Sequence, residues 1–118
     1  MKRILVVDDE IHICELYKSE LEDEGYAVTV ANSGAEALAA VEGNPPDLIV
    51  LDVQMPGMDG IETLEKLLGR DQGIPIILNT AYSHYQEDFT TWGADAYVVK
   101  SSDTTKLKRE IKRLLGNE

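Results

Sequence analysis

Short, nearly unbroken runs of Val, Ile and Leu recur along this chain, at Ile4–Val7, Leu48–Leu51, Ile74–Leu78 and Ala96–Val99. A fifth run, Tyr26–Val30, alternates more. Runs this short are of strand length, and their lack of polar alternation means that both faces are covered, as in a parallel sheet between two layers of helices. Between the runs the period changes to that of a helix. Residues 10–24 carry Ile13, Leu16, Tyr17 and Leu21 at spacings of three and four, and residues 103–116 carry Leu107, Ile111, Leu114 and Leu115 on one face. Ser33-Gly34-Ala35-Glu36 and Asp59-Gly60-Ile61-Glu62 read as capping boxes that open the second and third helices. Gly25, Gly43, Gly69 and Gly116 stand where helices should stop, and Pro45-Pro46 divides the second helix from the third strand. Between Thr80 and Gly93 the helical pattern is weakest. Thr90 and Thr91 are poor helix formers and aromatic rings crowd the stretch, which predicts a short or distorted fourth helix. Strand and helix thus alternate five times, which gives a parallel sheet joined by right-handed crossovers.

Composition narrows the classes of function. The 118 residues fit one domain, 1–118, with a core large enough to fold without staples. A single cysteine, Cys14, excludes an internal disulfide framework and a multi-cysteine metal site, and Cys14 itself is expected to be inert core. His12 and His84 lack partners at metal-ligand spacing. There are 22 acidic residues against 11 basic ones, a net charge of −11 that repels phosphate backbones, so no direct nucleic-acid binding is expected. The basic-then-apolar start halts at Asp8 after four apolar residues, too short for a signal peptide. No apolar stretch approaches a membrane span, and a cytoplasmic protein is expected.

In sheets of this kind chemistry collects at the carboxyl ends of the strands. The first strand ends in Asp8 and Asp9, the third in Asp52, the fourth in Thr80 and the fifth in Lys100. Three converging carboxylates repel, so they must take up protons or recruit a cation. Lys100 offsets one charge, and the rest suit Mg²⁺, which needs only one or two carboxylates beside water and a phosphate oxygen. The site therefore points to a phosphoryl substrate. Asp52 is the candidate nucleophile. Backbone N–H groups of the loop after it and the Thr80 hydroxyl are placed to hold phosphoryl oxygens, and Lys100 to neutralise charge.

The segments VVDDE at 6–10, LDVQMPGMDG at 51–60, TA at 80–81 and YVVK at 97–100 resemble the receiver domain of bacterial two-component response regulators. The likeness covers essentially the whole chain. It implies a flavodoxin-like, doubly wound sheet in the order 2-1-3-4-5 flanked by five helices, as in the chemotaxis regulator. It implies that Asp52 accepts a phosphoryl group from a sensor histidine kinase or a phosphotransfer protein. Asp9, Asp52 and the backbone carbonyl of Gln54 would ligate Mg²⁺, with Asp8 acting largely through water. Thr80 and Tyr97 would form the switch pair, and Gln54 and Tyr82 would tune hydrolysis, with bulky Tyr82 shielding the acyl phosphate. The face made by the fourth helix, fifth strand and fifth helix would meet a downstream protein or an output domain. Such a receiver is consumed as substrate and is not a turnover enzyme.

Other readings fare worse. A phosphatase of the haloacid-dehalogenase type would carry its nucleophile after the first strand, and a flavodoxin-like cofactor binder would not place Asp8, Asp9 and Glu10 against a phosphate. An unphosphorylated pseudo-receiver, used only for binding, is the remaining alternative. The chain departs from the family pattern at Ser101, which stands where a cis-proline is usual. A cis bond to a non-proline residue costs about 2.5–4 kcal/mol, so Lys100–Ser101 is expected to be trans. The stretch between Thr80 and Gly93 is also shorter than usual. Lys106, Lys108, Arg109, Lys112 and Arg113 make the last helix basic, either as a solvated face or as a partner surface. Kinase docking is expected near Ile11, His12 and Cys14.

Overall fold

A computed structural model of the chain describes residues 1–52, 60–70, 73–81, 93–101 and 103–116. The strands are β1 (Arg3–Val7), β2 (Ala27–Ala31), β3 (Leu48–Leu51), β4 (Ile76–Thr80) and β5 (Ala96–Val99). The helices among the described residues are α1 (Ile11–Asp23), α2 (Gly34–Gly43), α3 (Gly60–Arg70) and α4 (Thr105–Leu115). All strand pairs are parallel, in the order β2-β1-β3-β4-β5. Four of the five expected helices are therefore seen, and α4 corresponds to the fifth. The expected fourth helix falls on residues 82–92, outside the described residues.

The strands are apolar throughout because they serve two cores at once. Leu5, Val7, Ile49, Leu51, Ile76, Leu78 and Tyr97 face one layer, where α2 contributes Ala37 and Val41 and α3 contributes Leu64 and Leu67. Their neighbours in sequence, Ile4, Val6, Leu48, Val50, Ile77, Ala96 and Val98, face the other layer, against Cys14, Tyr17 and Leu21 of α1 and Leu107 and Ile111 of α4. Side chains alternate across a strand, so a sheet with helices on both faces demands apolar residues at every position. Only β2, at the edge of the sheet, shows exposed positions in mid-strand, which is why its sequence alternates more.

Boundaries shift slightly from expectation. The fourth strand begins at Ile76, not Ile74, because Pro75 lacks an N–H for the ladder and its carbonyl accepts from Ile49 N–H at 3.0 Å. It also runs on through Asn79 to Thr80. At the start of α2 Ser33 Oγ accepts from Glu36 N–H at 3.1 Å as the capping box predicts, while Glu36 Oε1 reaches one residue further back, to Asn32 N–H at 2.8 Å. The Lys100–Ser101 bond is trans, as expected, since no cis peptide occurs among the described residues. No described helix is long and apolar enough to cross a membrane.

Gly25 and Gly93 both adopt positive φ, at 96° and 94°. A Cβ at Gly25 would meet nothing within 4 Å, whereas one at Gly93 would sit 2.6 Å from Leu68 Cδ1. Gly25→Ala should therefore cost only the left-handed backbone, about 1–2 kcal/mol. Gly93→Ala should cost about 1–3 kcal/mol more, from overpacking against α3. Urea unfolding measures both as a fall in midpoint at constant slope. Equal losses at the two positions would mean that Leu68 yields freely.

Candidate functional site

Asp8, Asp52 and Lys100 each stand just beyond a strand whose ladder has not yet ended. Asp8 N–H donates to the Ala31 carbonyl at 3.0 Å, Asp52 N–H to the Val7 carbonyl at 3.0 Å and Lys100 N–H to the Thr80 carbonyl at 2.7 Å. These bonds fix the backbone of one residue past β1, β3 and β5. They bring side chains from three distant stretches to one edge of the sheet.

At that edge the carboxylates of Asp8, Asp9 and Asp52 offer oxygens that all lie within 4.8 Å of one another. Asp8 and Asp52 are buried, at 2% and 3% exposure, while Asp9 is exposed. Lys100 Nζ lies 2.8 Å from Asp8 Oδ2, 3.0 Å from Asp52 Oδ2 and 3.1 Å from Glu10 Oε1. Asp8 Oδ1 also accepts from Glu10 N–H at 2.9 Å. The carbonyl of Asp8 accepts from Asn32 Nδ2 at 3.0 Å and from Cys14 Sγ at 3.3 Å.

The electrostatics follow from this sharing. Burial pushes the Asp8 carboxyl above its ordinary range, and its hydrogen bond to Lys100 offsets only part of that. Burial alone would lower the pKa of Lys100, but its bonds to Asp8 and Asp52 and their charges prevail and raise it. The two directions are consistent. The ammonium gains from both acids, whereas Asp8 gains only a share of one ammonium. Burial, then the charge of Asp8, lifts the Cys14 thiol to about 11, so it stays protonated and inert.

Thr80 is fully buried at the end of β4, and its Oγ1 has no hydrogen-bond partner among the described residues. Leaving a buried hydroxyl unpaired costs about 1–3 kcal/mol. An oxygen-rich anion at the strand ends would supply the missing partner. The acid set, oxygen donors only and in excess of the single lysine, fits a hard divalent cation such as Mg²⁺ better than a thiol- or imidazole-seeking metal.

Of the residues singled out in the sequence, Asp8, Asp9, Asp52 and Lys100 are brought together, with Thr80 at the end of the adjoining strand. Tyr97 is buried in the core on the α2–α3 side of the sheet, paired in register with Leu78. Gln54 and Tyr82 lie outside the described residues, as does His84. His12 is fully exposed beside Glu15, and Ile11 is exposed, but Cys14 faces the core and cannot contribute to a docking surface. On α4, Lys108 pairs with Glu20 at 2.7 Å, Lys112 with Glu24 at 3.5 Å and Arg113 with Glu110 at 2.6 Å. Much of that basic charge thus answers acids in and just after α1 and in α4 itself. Two features escaped the sequence reading. Glu10 is a third carboxylate on Lys100, signalled only by its place after Asp8 and Asp9. Asn79 bonds Tyr17 inside the core, and a polar residue in an apolar strand was the available signal.

Residues 4–112 match the family described as the response regulator receiver domain. The chain is 40% identical to the alkaline phosphatase synthesis transcriptional regulatory protein PhoP of Bacillus subtilis, over 97% of this chain and 48% of that protein. It spans about half the length of the first curated relatives it matches. A crystal structure of the response regulator TrrA of Thermotoga maritima, in complex with Mg²⁺-BeF, is similar with a TM-score of 0.91 at 48% identity, covering 97% of this chain and 99% of that one. The same regulator in complex with the histidine kinase ThkA gives a TM-score of 0.89 at 49% identity, covering 98% and 99%. With its parallel sheet in the order β2-β1-β3-β4-β5 and its acids gathered at the strand ends, the chain belongs to the receiver-domain family of response regulators.

Proposed function

We propose that this chain is a phospho-accepting signalling switch in which Asp52 takes a phosphoryl group from the phosphohistidine of a sensor kinase or phosphotransfer protein. The observation that carries the reading is the Lys100 ammonium held between Asp8 and Asp52 at 2.8 and 3.0 Å, with Asp9 completing the acid set. TrrA, solved both with Mg²⁺-BeF and with a histidine kinase, supports the same reading by similarity.

Asp52 is the nucleophile. One carboxylate oxygen forms a bond to phosphorus as the bond from phosphorus to the imidazole nitrogen breaks, and the electron pair returns to that nitrogen. Asp8, Asp9 and Asp52 would hold Mg²⁺, with the Gln54 carbonyl assigned by family likeness. When bound, the ion supplies the positive charge that lets an anion approach these acids. Lys100 starts paired with Asp52 and remains beside it to neutralise the new acyl phosphate. The Thr80 hydroxyl, which lacks a partner among the described residues, donates to a phosphoryl oxygen, and Tyr97 completes the switch pair on β5. Gln54 and Tyr82 are assigned to tuning phosphate loss. The exposed surface near β5 and α4 would then meet a downstream partner or an output domain, and Ile11 and His12 of α1 would lie in the kinase contact.

Incubation with Mg²⁺ and a small acyl-phosphate donor tests the reading. Mass spectrometry should find one phosphoryl group on the parent, none on Asp52→Asn, and none on the parent after chelation of the metal. Equal labelling of Asp52→Asn would sink the assignment.

Thr80→Val separates stability from function. It removes a buried hydroxyl that has no partner among the described residues, so the resting protein should gain about 1 kcal/mol. Phosphoryl uptake should nevertheless proceed, but with weaker coupling to partner binding. Loss of stability in Thr80→Val would show that the hydroxyl is already satisfied at rest.

A further inference from the structure

Beneath the acid cluster lies a second polar pair, inside the apolar layer between the sheet and α1. Tyr17 of α1 and Asn79 of β4 are each 2% exposed. The Tyr17 hydroxyl donates to Asn79 Oδ1 at 2.7 Å, and Asn79 Nδ2 donates to the Val98 carbonyl at 3.2 Å. Tyr17 shares its layer with Val6, Val50, Ile77 and Val98. Packing alone gives no reason for a phenol and a carboxamide here, since an apolar pair would fill the space without needing partners.

The place of the pair supplies a reason. Asn79 directly precedes Thr80, and Val98 stands two residues before Lys100. Asn79 and Val98 are partners in register, and the next bond along joins Lys100 N–H to the Thr80 carbonyl at 2.7 Å. β5 is the last strand in the sheet order, with β4 as its only strand neighbour among the described residues. Strand ends at a sheet edge open more readily than central strands. Yet Lys100 must keep its ammonium within hydrogen-bond reach of two buried carboxylates. The side chain of Asn79 adds a bond to β5 where this demand is greatest, and Tyr17 fixes that side chain from α1.

We infer that Tyr17 and Asn79 are positioning residues for phosphoryl transfer, clamping the carboxyl end of β5 to β4 and α1 so that Lys100 and Thr80 are held beside Asp52. The purpose of the clamp rests on the acceptor reading above, while the clamp itself does not.

The double variant Tyr17→Phe/Asn79→Val tests this. It removes both partners of the Tyr17–Asn79 bond together, so that only the Val98 carbonyl loses a donor. Hydrogen exchange should show the Lys100 amide opening about tenfold faster, with Val6 and Val50 in the central strands unchanged. Phosphoryl uptake from acetyl phosphate should fall about ten- to hundredfold. Mg²⁺ affinity should stay within about twofold, because Asp8, Asp9 and Asp52 are untouched. Tyr17→Phe alone keeps the Asn79–Val98 bond and should fall between parent and double variant, which tests the clamp even if the double variant folds poorly. Unchanged Lys100 exchange in both variants would overturn the clamp, and faster exchange with unchanged uptake would overturn its positioning role. A parent that takes up no phosphoryl group would instead remove the acceptor reading, with faster Lys100 exchange in the variants still supporting the clamp.

Discussion

Asp8 and Asp52 are buried side by side at the ends of neighbouring strands, and two carboxylates so placed repel one another unless a cation lies between them. Lys100 supplies that cation, reaching both at 2.8 and 3.0 Å from the far edge of the sheet. Removing one partner of a buried ion cluster leaves uncompensated charge, at a cost of about 3–5 kcal/mol. The arrangement therefore ties β5 to β1 and β3 across β4. It also sets the chemistry, since the ammonium that stabilises the resting acids is already in place for the charge that phosphoryl transfer would bring.

The sheet makes this possible because its ladder outlasts its strands. The N–H groups of Asp8, Asp52 and Lys100 each bond to the neighbouring strand one residue past the last strand position. Their backbones are thus as constrained as the strand itself while their side chains already face the crevice. A loop residue one step further would have no such restraint. Two apolar layers hold the sheet from both faces, so the charged edge is supported by packing as well as by its own ion pairs.

Much of this was legible in the sequence for the same reason. A parallel sheet covered on both faces requires uninterrupted apolar strands, and polar residues that end such runs are forced to one edge. Asp8, Asp9, Asp52, Thr80 and Lys100 could be placed by that rule alone. Strand order, the exact ligand set and the roles of Tyr97, Gln54 and Tyr82 needed the family likeness, because alternation and charge fix none of them. Pro75 moved the start of β4 because an apolar run does not reveal which residue lacks an N–H for the ladder. The caps of α1 were less legible still. Asp8 turns its carboxylate to Glu10 N–H and Lys100, and α1 begins at Ile11, after an N-cap Glu10 that makes no side-chain cap bond. Which partner a polar residue takes depends on register between distant elements. Hence Glu10 on Lys100 and Asn79 on Tyr17 emerged only from the fold.

The site combines features that oppose stability: like charges in close array, only partly offset by one lysine, and a buried hydroxyl lacking a partner among the described residues. Natural chains keep such local conflicts where a bound group resolves them. A divalent cation would answer the excess of acids, and phosphoryl oxygens would answer both Lys100 and Thr80. A ligand shifts a conformational equilibrium only by its difference in affinity between states. Groups left unsatisfied at rest, and satisfied on phosphorylation, are the source of such a difference. Thr80 and Lys100 lie at the ends of β4 and of the edge strand β5, so on the proposed reading that free energy would act at this edge of the sheet. The Tyr17–Asn79 pair sits directly beneath, where it limits how far those ends move and so confines the response to side chains and the adjoining surface.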